Sequence, residues 1–148
     1  MNETIRNFGF PQSLVKEFGH WVVLARPAQP TLGSLVLAAK SNEQAFADLP
    51  AAAHAELKSV TVAIENALRG AVRYDKINYL MLMMVDPHVH FHVIPRYEGV
   101  REWGAPSSDV REFVDIGWPK MPDLGHAVLH EGTELDALAE WLRNAFEN

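Results

Sequence analysis

Three histidines alternate with apolar residues in one run, His88-Val89-His90-Phe91-His92-Val93-Ile94. Successive side chains of a strand point to opposite faces. The run therefore predicts a strand with three imidazoles on one side and Val89, Phe91 and Val93 on the other. The apolar side needs a core to lie on. The histidine side carries groups that accept a proton, donate one or attack near neutral pH.

Around this strand the chain reads as an α+β domain on an antiparallel sheet. Residues 1–11 read as an irregular lead-in. Segments 13–18 and 21–25 form a hairpin turning at Gly19, and 26–32 is a proline-rich loop before a strand at 34–40. Ser41 with Gln44 matches a capping box and predicts a short helix over 43–49. Pro50 suits the first turn of a second helix, whose stripe is Leu57, Val60, Ile64 and Leu68 and whose end signal is Gly70. The apolar stretch 77–85, with Met81, Met83 and Met84, predicts a buried strand. Asp86-Pro87 then turns the chain back into the histidine strand. Residues 97–124 read as a long surface segment. Thr133 and Asp136 resemble a capping box for a last helix with the stripe Leu135, Leu138, Leu142 and Phe146.

The histidine pattern admits three uses. Neighbouring histidines lie roughly 6.6 Å apart along a strand and the outer pair about 13 Å, so two can chelate a metal while three would strain the strand. The row can also be no more than a solvated polar face. Alternatively, His90, flanked by an imidazole on each side, attacks phosphorus and forms a phosphoramidate that water or another acceptor cleaves. Arg96, with the same parity, offers a guanidinium to a phosphate. Elsewhere, His126 and His130 stand at a spacing that binds metal on a helix, and Trp103 and Trp118 are candidates for stacking or for packing.

The segment DPHVHFHVIPRY resembles the motif of the histidine triad (HIT) superfamily, His-φ-His-φ-His-φ-φ with φ apolar. The likeness extends over about 13–97, through SLVKEFGHWVVLARPAQPTLGSLVLAAK and SNEQAFADLPAAAHAEL. The resemblance implies a five-stranded antiparallel sheet with a long helix packed on it and a C-terminal helix, commonly as a homodimer. It implies hydrolysis or transfer of nucleoside monophosphates from dinucleoside polyphosphates, nucleoside phosphoramidates or adenylylated groups, with no metal or cofactor. On that reading His90 is the nucleophile, His92 contacts the scissile phosphate, and His88 supports His90 through its backbone. Two departures fall in the substrate cradle. Ser34 stands where the family often has a fourth histidine, and Arg26 where many members have an acidic ribose ligand. A third is the short turn Asp86-Pro87 in place of a glycine-rich loop, which leaves Asp86 as a candidate acid. Trp118, in the tail, is placed to stack on a base. The altered cradle also admits a relative that binds a nucleotide without turnover.

Composition narrows the setting. The 148 residues suit one domain, with a core at about 13–97 and a tail and helix at 98–148. There is no cysteine, which excludes disulfides and thiolate chemistry. A net charge of −6 without a long basic run argues against a nucleic-acid partner. No apolar run approaches the about 20 residues of a membrane span, and MNETIRNFGF, without a basic region followed by an apolar stretch, is not expected to be a signal peptide. A cytoplasmic protein with a small-molecule nucleotide substrate is the expectation.

Overall fold

The computed structural model describes residues 1–104 and 110–148. Five antiparallel strands form the main sheet: β1 (Leu14–Glu17), β2 (Trp21–Ala25), β4 (Leu35–Ala39), β5 (Lys76–Leu80) and β6 (His90–Arg96), in the order β1-β2-β4-β6-β5. A two-residue strand β3 (Ala28–Gln29), in the proline loop, pairs instead with β9 (Val128–Leu129). Helices α2 (Ala51–Val72) and α3 (Gly132–Glu147) cover one face. There Val60, Ile64, Leu68, Leu138 and Leu142 pack with Trp21, Val23, Leu35, Leu37 and Val93. β2 and β4 are buried at every residue, as their unbroken apolar runs require of strands covered on both sides.

The second face is covered by a short helix, α1 (Glu3–Asn7), in the segment read from sequence as irregular. Asn2 caps it, its Oδ1 accepting from the Ile5 amide at 3.0 Å. Ile5 then packs on Val22, Leu24, Val36 and Ala38. One face of the sheet thus holds the main core, and the other holds a thin layer under α1.

Several local expectations are corrected. The strand at 77–85 stops at Leu80, and Met84 and Val85 are 83% and 91% exposed. The reason is that His88 and Val89 do not continue beside it. The Val89 carbonyl accepts from the Ala39 amide and its amide donates to the Glu43 carbonyl, drawing the chain toward β4. That bond also keeps Glu43 out of a helix, so 43–49 contains only one 3-10 turn, Phe46–Asp48. Pro50 is the N-cap of α2 rather than its first-turn residue. The helix passes Gly70 to end at Val72, which is still buried in the core, with Arg73 as its C-cap. The segment 97–124 is not merely surface. It contains the hairpin of β7 (Val100–Gly104) and β8 (Val110–Val114), whose inner side chains Trp103 and Phe113 are buried. α3 starts at Gly132 with Glu131 as N-cap and no side-chain cap, so the Thr133–Asp136 box does not form.

Candidate functional site

The pleat of β6 places His90 and His92 on the α1 face, opposite Ala38 and Val36 of β4. Their rings meet edge-on, 5.2 Å between centroids. They line a hollow of about 340 Å³ with Arg26, Asp86, Phe8 and the chain Leu82–Val85. His90 is only 2% exposed and His92 8%, but both border this open space rather than lying in the core.

His88 precedes β6 and does not share the strand face with the other two. Its Nδ1 pairs with the Thr4 hydroxyl at 2.8 Å, and its amide donates to the same oxygen at 3.2 Å. It borders a different hollow, beside Met1, Arg6 and Lys40. Its carbonyl, however, lies 2.7 Å from His90 Nδ1. A carbonyl only accepts, so His90 carries its proton on Nδ1 and keeps a lone pair on Nε2.

His92 has the opposite arrangement. Arg26 Nε donates to His92 Nδ1 at 3.3 Å. Arginine has no lone pair to offer, so Nδ1 of His92 is the acceptor and Nε2 bears its proton. Burial first, then the Arg26 cation and the neighbouring His90, hold the His92 pKa down at about 4, while Asp86 acts the other way. His92 is a neutral donor at neutral pH. Arg26 is itself steadied by a 2.5 Å bond to the Ala28 carbonyl.

The remaining candidates divide. Asp86 borders the hollow and accepts from Asn7 Nδ2 at 2.8 Å. Ser34 is fully buried. Its hydroxyl donates to the Thr31 carbonyl at 2.8 Å, within a turn where Gln29 Oε1 accepts from the Gly33 and Ser34 amides. It does not reach the His90 hollow, so the phosphate-facing hydroxyl expected there is replaced by a loop-building one. Arg96 has the histidine parity, but its guanidinium is committed to Asp115, at 2.6 Å from Nε and 3.1 Å from Nη2. Trp118 lines a second hollow on the same face, with Arg96 and Lys76. His126 and His130 do not share a helix: His130 is buried between Trp103 and Phe113, and His126 pairs with Asp123. Among the described residues no group of three His, Cys, Asp or Glu side chains is placed to hold a metal. Among them, too, no helix is long and apolar enough to cross a membrane.

The HIT domain sequence profile matches residues 11–99, more than half of the chain. The chain belongs to the HIT domain family. A hypothetical histidine triad nucleotide-binding protein from Sulfolobus tokodaii is similar over 97% of this chain and 89% of its own, with TM-score 0.67 and 21% identity. A histidine triad protein from Sinorhizobium meliloti gives 0.70 at 21% over 97% and 94%. Another from Bradyrhizobium japonicum gives 0.66 at 20% over 99% and 96%. At these identities the likeness is one of fold. No curated protein sequence matches significantly. HIT membership places the chain in a class of nucleotide-binding hydrolases and transferases.

Sequence reasoning missed the contribution of α1 to this HIT site. Phe8 packs on both rings, 5.5 Å from His90 and 5.7 Å from His92 by centroid. Thr4 holds His88, and Asn7 holds Asp86. The signal was present in Asn2 as a capping residue ahead of Glu3, but a helix of five residues has too little periodicity to show in a pattern.

Proposed function

We propose that this HIT protein is a nucleotide hydrolase or nucleotidyltransferase that attacks the α-phosphorus of a nucleotide conjugate through His90. The observation that carries this reading is the 2.7 Å bond from His90 Nδ1 to the His88 carbonyl, which leaves the Nε2 lone pair free for phosphorus. Attack forms the N–P bond and breaks the bond from phosphorus to the leaving group, which departs with its electron pair. His92 Nε2–H donates to a phosphate oxygen as charge develops. Arg26 keeps terminal N–H groups for the same phosphate. Water, or another acceptor in transfer, then attacks phosphorus and releases His90. A homodimer, as the family resemblance implies, is the assembly we expect. Sedimentation at twice the 16.6 kDa chain mass supports it and a monomer refutes it.

The test is release of AMP from adenosine phosphoramidate or diadenosine tetraphosphate, with His90→Ala as control. AMP from the native chain and none from a folded His90→Ala supports the reading. Equal rates in both would falsify it. The second reading, binding without turnover, is favoured by one observation, the seating of Phe8 on both imidazoles, which narrows access to them. Calorimetric binding of AMP with no product from either substrate decides for it.

A further inference from the structure

His130 takes no part in the chemistry above, yet it is a titratable side chain fully buried in the tail. Its ring lies between Trp103 and Phe113 of the β7–β8 hairpin, 6.0 Å and 6.1 Å away by centroid, and is stacked on Phe113. Burial lowers its pKa, so the ring is neutral at neutral pH and holds one proton. Nδ1 stands 3.0 Å from the Val128 carbonyl, which only accepts, so that proton is on Nδ1. This seat holds β9. The strand is two residues long, and its side chains, Val128 and Leu129, are 42% and 56% exposed. So short a ladder, with no side chain of β9 in the core, is marginal by itself. His130 follows it directly and makes two bonds there. Its ring N–H holds the Val128 carbonyl, and its backbone amide donates across to the Pro27 carbonyl at 2.8 Å. The ring between Trp103 and Phe113 anchors both bonds to the core.

β9 in turn holds the segment on which Arg26 is anchored. Ala28 pairs with Leu129 and Gln29 with Val128. Antiparallel partners alternate between hydrogen-bonded and non-bonded pairs. The bond from the His130 amide makes Pro27 and His130 a bonded pair. Ala28 therefore belongs to a non-bonded pair, and its carbonyl turns away from β9. There it accepts from Arg26 Nη1 at 2.5 Å, while Arg26 Nε donates to His92 Nδ1 at 3.3 Å. Gln29 Nε2 donates to the Arg26 carbonyl at 2.6 Å. A continuous line of contacts thus joins His130 to His92 through residues 27–29 and Arg26.

We propose that His130 is a positioning residue for His92: by clasping β9 against β3 it holds the Ala28 carbonyl where it fixes the Arg26 guanidinium, and through Arg26 it keeps the His92 proton on Nε2. The inference rests on the reading in which His92 donates to the substrate phosphate, since there the place of that proton governs turnover. His130 touches neither substrate nor the reacting histidines. It acts by limiting the freedom of a loop whose own ladder is too short to limit it. A guanidinium with a fixed acceptor at one end presents Nε to His92 in one direction, and one released from Ala28 does not.

The test is the nitrogen-15 spectrum of the His92 ring at neutral pH in native protein, His130→Ala, Arg26→Met and the double variant. In the native chain Nδ1 is bare and Nε2 protonated, so the two ring signals lie far apart. In His130→Ala they draw together, as in Arg26→Met, and the double variant moves them no further than Arg26→Met alone. The kcat for AMP release falls several-fold in His130→Ala. Val60→Ala, which opens a cavity in the core under α2, lowers Tm but keeps the native His92 signals. Native signals in His130→Ala, or the same displacement in Val60→Ala, overturn the proposal and leave His130 as a residue that only stabilises the tail. A further displacement in the double variant overturns the route through Arg26. Displaced signals with kcat unchanged refute a part in turnover. If His130→Ala does not fold, His130→Phe, which keeps a ring between Trp103 and Phe113 but lacks the N–H, takes its place with the same outcomes. The spectrum needs no substrate. A native chain that releases no AMP ends the His90 reading, while the His92 signals still decide whether His130 sets that proton.

Discussion

Arg26 and His92 form a one-way hydrogen bond, 3.3 Å from Nε to Nδ1, in which only the arginine can donate. A residue from the end of β2 thereby sets the proton position on a residue of β6. The nucleophile candidate His90 has its proton fixed on Nδ1 by a carbonyl. Its neighbour has its proton fixed on Nε2 by a guanidinium. The two rings of one strand face are prepared for opposite tasks, one to attack and one to donate.

Replacing Arg26 by Met should release His92. Its ring then samples both tautomers and its pKa rises from about 4 toward the ordinary value, since a neighbouring cation is lost. Nitrogen-15 shifts of the His92 imidazole read this directly. Hydrogen bonds to charged groups contribute about 1.5–3 kcal/mol, so kcat should fall about tenfold or more. Unchanged His92 shifts in the variant would refute the tautomer assignment.

The depressed His92 pKa also makes stability depend on pH. The unfolded chain protonates this ring near pH 6.5, while the folded chain resists until about pH 4. Between those values the unfolded state binds more protons, so stability rises with pH and the contribution is lost as pH falls through the window. The size is about 3 kcal/mol. Native protein and His92→Gln should therefore differ in the slope of Tm against pH from 6.5 to 4, the variant being flatter. Parallel slopes would show that His92 is not the titrating group.

Thr4 reaches across from α1 to hold both the amide and the ring of His88. Thr4→Val keeps the shape and removes the hydroxyl. We expect a loss of about 1 kcal/mol in stability. We also expect a several-fold drop in kcat with KM little changed, because the His88 carbonyl that orients His90 is loosened. A drop confined to Tm, with kcat intact, would show that α1 only covers the sheet.

Arg96→Met leaves the Asp115 carboxylate buried without its partner, at a cost of about 3–5 kcal/mol. For a domain of this size Tm should fall by about 10 °C. The double variant Arg96→Met/Asp115→Leu should recover much of that loss, because no lone buried charge remains. Failure of the double variant to recover would mean that the bond to the Lys120 carbonyl, not the ion pair, is what holds the tail segment.

Some of the site was legible from local pattern. Alternation put His90 and His92 on one face, while Arg26, which borders the hollow, is singled out only by the family resemblance. Parity put Arg96 on the same face, yet it could not reveal that Asp115, 19 residues on, occupies the guanidinium. The Ser34 hydroxyl turns to the Thr31 carbonyl inside the proline loop, a bond between near neighbours that no periodicity reveals. Gly33, at φ 94 with Leu68, Val72 and Pro95 at 3.3 Å from where a Cβ would sit, lets that turn lie close against the core.

What the sequence by itself determined is whatever depends on neighbours a few residues away: the pleat of β6, the unbroken apolar strands β2 and β4, the stripes of α2 and α3. Those periodicities are imposed by backbone geometry and need no knowledge of the rest of the chain. Tertiary structure alone decided which polar groups meet: Arg26 with His92, Thr4 with His88, Arg96 with Asp115. A hydrogen bond acts over about 3 Å and forms between residues distant in sequence only after packing has set their separation.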